Sequence, residues 1–544
     1  MAETTPTDDL RATLTQLLEG EDKEAAVEFV LALFQGLQSE IDALAIRLKA
    51  SMRGKSGGGS ERLAREQLDL FLLQLAQSDA EAAALASEPD EDDDDGPDDD
   101  PSAPTGRGRR KPKDKRKKRK RGRKKLPDHL PTERITLALS DTDRQCTTCG
   151  CHKKTIGHEC SEVLDYVPGH FKKIVFEREK AVCVTPQCLS PISTAPSANK
   201  PIEKGIPYFG LLADVVVRKY AEHMPINRLR NVYRRQGVDL ALSTLYDWDR
   251  QAAELLEPIA KAIHRNVLDA HVVQVDDTSM TVLDAHAPGG SKSGHQWAFL
   301  GDQTWVSFAY TETWKHEEPK EMLQGHSGWL QGDAYAGFQC MTGPVEPMDK
   351  VGCWAHARRY FITALDGGDV RAAVPLKLIQ DLYRVERAAT NEDVRPDERR
   401  VRRLIQSKPI LDRLIRWIRH QYPRTLPKSP LRKGLTYLIN QWDTLKRFLE
   451  DGRLKLDNND CERQLRHICT GRKNWLFSGS DAGAKRAATH FTIVGTCLLN
   501  DVEPWAYLHD VMYKLVDGWP HRRLEELLPP MWKLEHGRNQ ALAA

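Results

Sequence analysis

Three acidic side chains lie in contexts suited to holding catalytic metal: Asp276, Asp333 and Glu462. Asp276 follows the apolar run Val272-Val273-Gln274-Val275, which predicts a buried strand with a carboxylate at its end. Asp333 follows Trp329-Leu330-Gln331-Gly332, a second short strand leading into a turn. Glu462 comes after Asp457-Asn458-Asn459-Asp460, residue types that cap a helix carrying the glutamate inward. Two strand carboxylates and one helix carboxylate can bridge a pair of Mg²⁺ ions about 4 Å apart, activating an attacking oxygen and steadying a leaving one. Such chemistry cuts and joins phosphodiesters. Any one of the 78 acidic residues is by default a solvated charge; the strings around these three single them out.

The elements that must position them are also visible. Strand-like runs at 296–300 and 306–310 flank Gly301-Asp302-Gln303, giving strand, hairpin and strand between the first two acids. The 129 residues from Asp333 to Glu462 exceed what one helix and strand need, and helical patterns at 370–389, 397–422 and 433–450 predict an all-helical insertion about 370–450. Within Gly352 to Phe361, Cys353 and His356 lie three apart but have no second pair nearby to complete a metal site, which favours a structural role. Arg358 and Arg359 are phosphate-contact candidates, as are Arg463, Arg466, Arg472 and Lys473 after Glu462, because guanidinium forks match phosphate oxygens. Trp475, beside Leu476 and Phe477, is expected in the core rather than on an unpaired base.

At 544 residues the chain should hold several domains. Its formal charge of +2 hides a strong asymmetry: residues 88–100 carry ten acids and no base, and residues 107–125 carry fifteen bases and one acid. This tract reads as a disordered linker or as a salt-sensitive DNA tether, with the acidic block folding back on the basic one. No apolar run approaches a membrane span and no signal-peptide pattern opens the chain, so a cytoplasmic, nucleoid-associated protein is expected. Eleven cysteines then point to metal or buried thiols rather than disulfides.

Upstream, residues 24–50 place Val27, Phe34, Ile41 and Leu48 at one heptad position and Val30, Leu37 and Leu44 at the other, a coiled-coil seam for self-association. Cys146, Cys149, Cys183 and Cys188 form two pairs that can close a tetrahedral structural zinc site, with Cys151, His152, His158 and Cys160 near enough to compete. Helical patterns at 207–220 and 226–236, a turn at Gly237 and a helix opening near Leu242 or Ser243 have helix-turn-helix spacing. Ser243, Thr244 and Tyr246 would then face a groove, with Arg228, Arg230, Arg234 and Arg235 on phosphates.

The strings VDDT at 275–278, GDAYAGF at 332–338 and DNNDCERQLRHICTGRKNWLFSGSDAGA at 457–484 resemble the transposases of the insertion-sequence-66 family, over about residues 130–535. The resemblance implies that Asp276, Asp333 and Glu462 are the DDE triad of a ribonuclease-H-like domain using two Mg²⁺ or Mn²⁺ ions. Where the family usually has Glu after the first acid this chain has Asp277, which leaves Asp277 as an alternative ligand, although adjacent strand residues face opposite ways. Lys315 stands where the family commonly has Arg, and Cys353-x-x-His356 is similar to a signature of many DDE transposases.

The expected architecture is multidomain α+β: a coiled-coil arm (1–50), a second helix and charged linker (51–130), a Cys₄ zinc module (131–200), a helix-turn-helix region (201–262), a ribonuclease-H-like α/β catalytic domain with its helical insertion (263–500) and a helical tail (501–544). The implied activity is cleavage of element ends and joining of the 3′-hydroxyl to target DNA. The implied partners are double-stranded DNA (terminal inverted repeats and target), a second copy of the chain at least, and small accessory transposition proteins. The alternatives are a transposase-derived nuclease and a non-catalytic DNA-binding repressor.

Overall fold

The computed structural model describes residues 65–78, 169–177, 180–181, 193–194, 197–203, 205–314, 317–333 and 349–543. The heptad arm at 24–50, the charged tract at 88–125, Lys315 and all four predicted zinc ligands lie outside these residues. The chain forms two compact units, one of residues 1–98 and 197–544 and the other of residues 99–196. In the smaller unit a two-stranded antiparallel ladder pairs β1 (Lys180–Ala181) with β2 (Ser193–Thr194), bracketing the segment that contains Cys183 and Cys188.

In the larger unit, α2 (Phe209–Tyr220), α3 (Ile226–Arg235) and α4 (Leu242–Leu268) follow α1 (Arg65–Ser78) in chain order. Pro225 starts α3, Gly237 makes the turn at φ 86°, and Ala241, not Leu242 or Ser243, occupies the cap of α4. Ile226, Leu229 and Tyr233 bury one face of α3, and Tyr233 donates to Asp214 of α2 at 2.6 Å. α4 runs unbroken through residue 262, the expected end of the helix-turn-helix region, and on to Leu268 just before the sheet.

The sheet has five strands in the order β5-β4-β3-β6-β7, formed by β3 (Val272–Leu283), β4 (Ser291–Gly301), β5 (Trp305–Thr311), β6 (Trp329–Gln331) and β7 (Asp349–Val351). β3, β4 and β5 pair antiparallel, whereas β6 runs parallel to β3 and β7 parallel to β6. Asp302 and Gln303 turn β4 into β5 at φ 44° and 56°, a tight turn of left-handed residues. The Asp302 carboxylate accepts from the amides of His271 and Val272 at 2.8 and 2.9 Å, which fixes where β3 begins. After α5 (Glu317–Met322), Gly328 lets the chain enter β6, since a Cβ there would stand 2.4 Å from the His271 carbonyl oxygen. The edge strand β5 is covered by α12 (Asp481–Leu499): Thr492 accepts from the Phe308 amide and Thr496 donates to the Val306 carbonyl, both at 2.9 Å.

One correction concerns β3, predicted to end at Asp276. It continues to Leu283, because Met280 and Val282 bury against Tyr310 and Ala484 in a second small core and β4 pairs along the whole extension.

Between β7 and Glu462 the described residues are helical, as the 370–450 patterns predict: α6 (Trp354–Asp366), α7 (Ala373–Asn391), α8 (Pro396–Arg402), α9 (Lys408–Gln421) and α10 (Pro430–Lys446). Their apolar stripes close on Trp354, Phe361, Leu382, Leu414, Trp417 and Leu438, with Leu68 and Leu75 of α1 added to the same core. A fully buried Arg403 organises this subdomain. It grips Glu386 with Nε and Nη2 at 2.7 and 2.8 Å and donates to the carbonyls of Phe448, Asp451 and Leu454. It thus shapes the segment that leads into the helix of Glu462. Arg403→Lys keeps the charge but has too few donors for these acceptors, so it is expected to cost roughly 2 to 3 kcal/mol. A urea midpoint unchanged at constant m would refute that role. The chain closes with α11 (Asn459–Trp475), α12, α13 (Pro504–Val516) and α14 (Pro529–Ala543). No helix among the described residues is long and apolar enough to cross a membrane.

Candidate active site

Alternation along β3 decides what each side chain meets. Gln274, Asp276 and Thr278 face α11, while Val273 and Val275 enter the opposite core with Trp297 and Phe299. Gln274, buried in an otherwise apolar run, bonds Gln331 of β6 at 3.0 Å, donates to the Asp457 carbonyl and accepts from the Cys461 amide at 3.2 Å. Gln331 in turn donates to the Lys455 carbonyl at 2.6 Å. These two amides bolt β3, β6 and the start of α11 together. Asp457 caps the helix, accepting from the Asn459 amide at 3.1 Å and from the Tyr383 hydroxyl at 2.6 Å, while Asn458 donates to the Val275 carbonyl instead of capping. Glu462 is thereby set one turn into α11, on the side that meets β3.

The charges of Glu462 and Asp333 both act on Asp276. Burial, then the negative charge of Glu462, and to a smaller extent Asp333 and Asp277, push the Asp276 carboxyl up to about 8, against a bond from the Asp277 amide that favours the anion. Glu462 pairs with Arg359 of α6, Oε2 to Nη2 at 3.3 Å, while its Oε1 is buried without a hydrogen-bond partner, 3.9 Å from His356 Nε2. Buried Lys350 of β7 feels the charge of Asp333, although its desolvation outweighs that and lowers its basicity. An all-carboxylate donor set with mutual repulsion and an unsatisfied buried oxygen fits a hard divalent cation. As the side chains lie, however, no three acidic, His or Cys groups among the described residues are close enough to hold one. Arg359 occupies Glu462 in its place.

Asp277 belongs to the other face. Its carboxylate binds His295 Nδ1 at 2.7 Å and Trp314 Nε1 at 3.1 Å, and the two rings stack with centroids 5.8 Å apart. These partners hold it away from Glu462.

The predicted phosphate contacts divide. Arg359 reaches the acids, Arg358 is half-buried on the same helix, and Arg463 pairs with Asp460 at 3.0 Å. Arg466 and Lys473 are exposed on α11. Arg472, expected on phosphate, instead donates to the Thr278 hydroxyl and the Ser279 carbonyl, because the last turn of α11 lies across the extension of β3. Arg234, Arg235 and Ser243 are exposed, Thr244 is half-buried and Tyr246 is exposed, all around the α3–α4 turn; Arg230 pairs with Asp239 at 3.2 Å. Trp475 packs against the small core of Met280 and Val282 as expected, but its neighbours Leu476 and Phe477 are exposed.

His356, Lys350 and the Gln274–Gln331 bolt are site features not apparent from the sequence alone. The Cys353-x-x-His356 spacing was the available signal for the first: Cys353 is buried at the start of α6, its thiol pushed up by burial, while His356 turns toward Glu462.

Residues 204–486 match the family described as Transposase IS66 family, residues 492–529 match the IS66 C-terminal element, and residues 44–135 match a region described as Transposase C of IS166 homeodomain. The chain belongs to the IS66 family of transposases. Relatives in Sinorhizobium fredii (strain NBRC 101917 / NGR234) include the uncharacterized protein y4hP, 31% identical over 448 residues, covering 78% of this chain and 79% of that protein. A second, y4qI, is 30% identical over 428 residues, covering 75% and 77% respectively. The homeodomain match falls on a stretch whose composition reads as the end of the coiled-coil arm, a second helix and a charged linker.

Proposed function

We propose that the protein is a DDE transposase that cleaves the ends of its element and joins the freed 3′-hydroxyl to target DNA, at a centre made of Asp276, Asp333 and Glu462. The observation that carries this is the Asp276 carboxyl, raised to about 8 by its burial first and then by the charge of Glu462 and Asp333, two acids delivered by different elements. The strand order, with three antiparallel strands followed by two parallel ones and the first acid on the central strand, supports a ribonuclease-H-like reading of the sheet. A bound pair of Mg²⁺ or Mn²⁺ ions would supply Lewis-acid polarisation of the scissile phosphate. The chain's own residues do the rest. Asp276, Asp333 and Glu462 concentrate negative charge at one place, Gln274 and Gln331 fix the approach of α11 to β3, and Arg359 exchanges Glu462 for a DNA phosphate.

In an assay with duplex DNA carrying the terminal repeats of the parent element and a target plasmid, joined product is expected. Cleavage without joining favours the nuclease reading, and binding without either favours the repressor.

Two proposals concern segments outside the described residues. Cys146, Cys149, Cys183 and Cys188 bind one structural zinc, so metal analysis of protein purified without chelator is expected to give about one equivalent, and less than about half an equivalent contradicts a closed site. Residues 24–50 associate two copies through the heptad seam. Serine at Leu37, Ile41 and Leu44 removes roughly 1.5 to 3 kcal/mol per buried side chain and is expected to abolish self-association in sedimentation; an unchanged sedimentation coefficient assigns the seam another role.

A further inference from the structure

Between the helix-turn-helix and α11 lies a cavity of about 410 Å³ whose lining includes Glu222, His223, Arg228, Asn231, Arg235 and Asn474. Its volume is many times the ~30 Å³ share of one water. Arg228, Asn231 and Arg235 project from one stripe of α3, and Asn474 comes from the last turn of α11. Among the described residues the Arg228 and Arg235 side chains have no hydrogen-bond or ion-pair partner, and Glu222, the one acid in the lining, is held by Arg218 at 2.7 Å. His223 joins α2 to α3 in a left-handed conformation, φ 57°, which for a residue with a Cβ costs on the order of 1 kcal/mol or more. That conformation places its ring in the cavity wall, with Nδ1 buried and unpartnered and the ring centroid 5.8 Å from that of His467 on α11. Burial holds both imidazoles below their ordinary range, with His223 adding to the effect on His467, so the pair is neutral at neutral pH.

Two unpaired guanidinium groups, two amides and a strained, unsatisfied imidazole make a donor-rich wall whose one carboxylate, Glu222, is already held by Arg218. We propose that this cavity seats a backbone phosphate of duplex DNA, held by Arg228, Arg235 and Asn231, with His223 taking up a proton from solvent as the phosphate enters. The inference rests on the transposase reading but goes past it, because the site joins the recognition helices to α11. His467 lies five residues beyond Glu462 on that helix, so a phosphate here connects end binding to the element that carries the third acid. The charged groups facing His223 are Glu222 with Arg218 from α2, Arg228 and Arg235 from α3, and His467 from α11.

The test is equilibrium binding of a short duplex of arbitrary sequence to the full chain at pH 6 and pH 8 over a range of salt. The wild type is expected to bind about fivefold to tenfold more tightly at pH 6, with a log-log salt slope steeper by about 0.9 for the added contact. His223→Gln is expected to remove that increment, so that its affinities at pH 6 and pH 8 agree within about twofold. Arg228→Gln, an exposed position that keeps the fold, is expected to flatten the slope by about 0.9 at both pH values. An increment that survives in His223→Gln, or a slope unchanged in Arg228→Gln, overturns the phosphate site and leaves the transposase reading standing. Failure of the wild type to bind duplex at all overturns both.

Discussion

Asp276→Asn, Asp333→Asn and Glu462→Gln are each expected to lower end cleavage and joining by on the order of 10³-fold or more, while duplex affinity stays within about twofold. The magnitude follows from the chemistry. Stabilising the developing charge of an in-line phosphoryl transfer is worth several kcal/mol, and roughly 4 kcal/mol lost from a barrier is about 10³ in rate. Each substitution is nearly isosteric, so the bolt of Gln274 and Gln331 and the cap from Asp457 remain intact. Asp277→Asn provides the contrast: its carboxylate is committed to His295 and Trp314 on the opposite face, and a much smaller loss is expected. A triad variant retaining more than about a tenth of wild-type joining would remove that residue from the centre.

The metal-free protein should be strained by its own acids, and the strain has a sign. The Asp276 carboxyl is raised to about 8 in the folded chain, whereas an unfolded aspartate ionises near 3.9. Between those values the folded state holds a proton that the unfolded state has lost, so the residue's contribution falls as pH rises, by up to about 1.4 kcal/mol per unit. Below about pH 4 both states are protonated and the effect vanishes. Asp276→Asn removes the dependence without changing the other titrating groups. In chelator, the variant is therefore expected to melt above the wild type by a margin that widens between pH 5 and pH 8, reaching a few kcal/mol. Mg²⁺ at pH 8 should narrow the margin by stabilising only the wild type. A margin independent of pH would mean that Asp276 is not buried among like charges.

Much of this was legible in the sequence because it depends on local pattern. The strands at 296–300 and 306–310, the short strand before Asp333 and the helical character of 370–450 follow from alternation and periodicity, which the burial of these elements enforces. The extension of β3 to Leu283 was not legible: its burial comes from Tyr310 and Ala484, far away in the chain. Arg403 was equally hidden, since one arginine in an Arg-rich helical stretch looks like the rest until the carbonyls of 448, 451 and 454 converge on it. Gln274 and Gln331 did carry a signal, as uncharged polar residues inside apolar runs, but only the approach of α11 explains them. Arg472 carries the converse lesson. Its charge alone suggests DNA, whereas its internal partner, the Ser279 carbonyl, comes from a strand far away in the chain.

The central claim is that Asp276, Asp333 and Glu462 form one divalent-metal centre, and cleavage of the polypeptide by bound Fe²⁺ tests it most directly. With ascorbate and peroxide, Fe²⁺ in a Mg²⁺ site releases hydroxyl radicals that cut the backbone beside the ion, and the fragments locate it. Scission is expected to cluster around residues 276, 333 and 462, to be suppressed by competing Mg²⁺ and to be lost in Glu462→Gln. Scission confined to other segments, or indifferent to Mg²⁺, would contradict it.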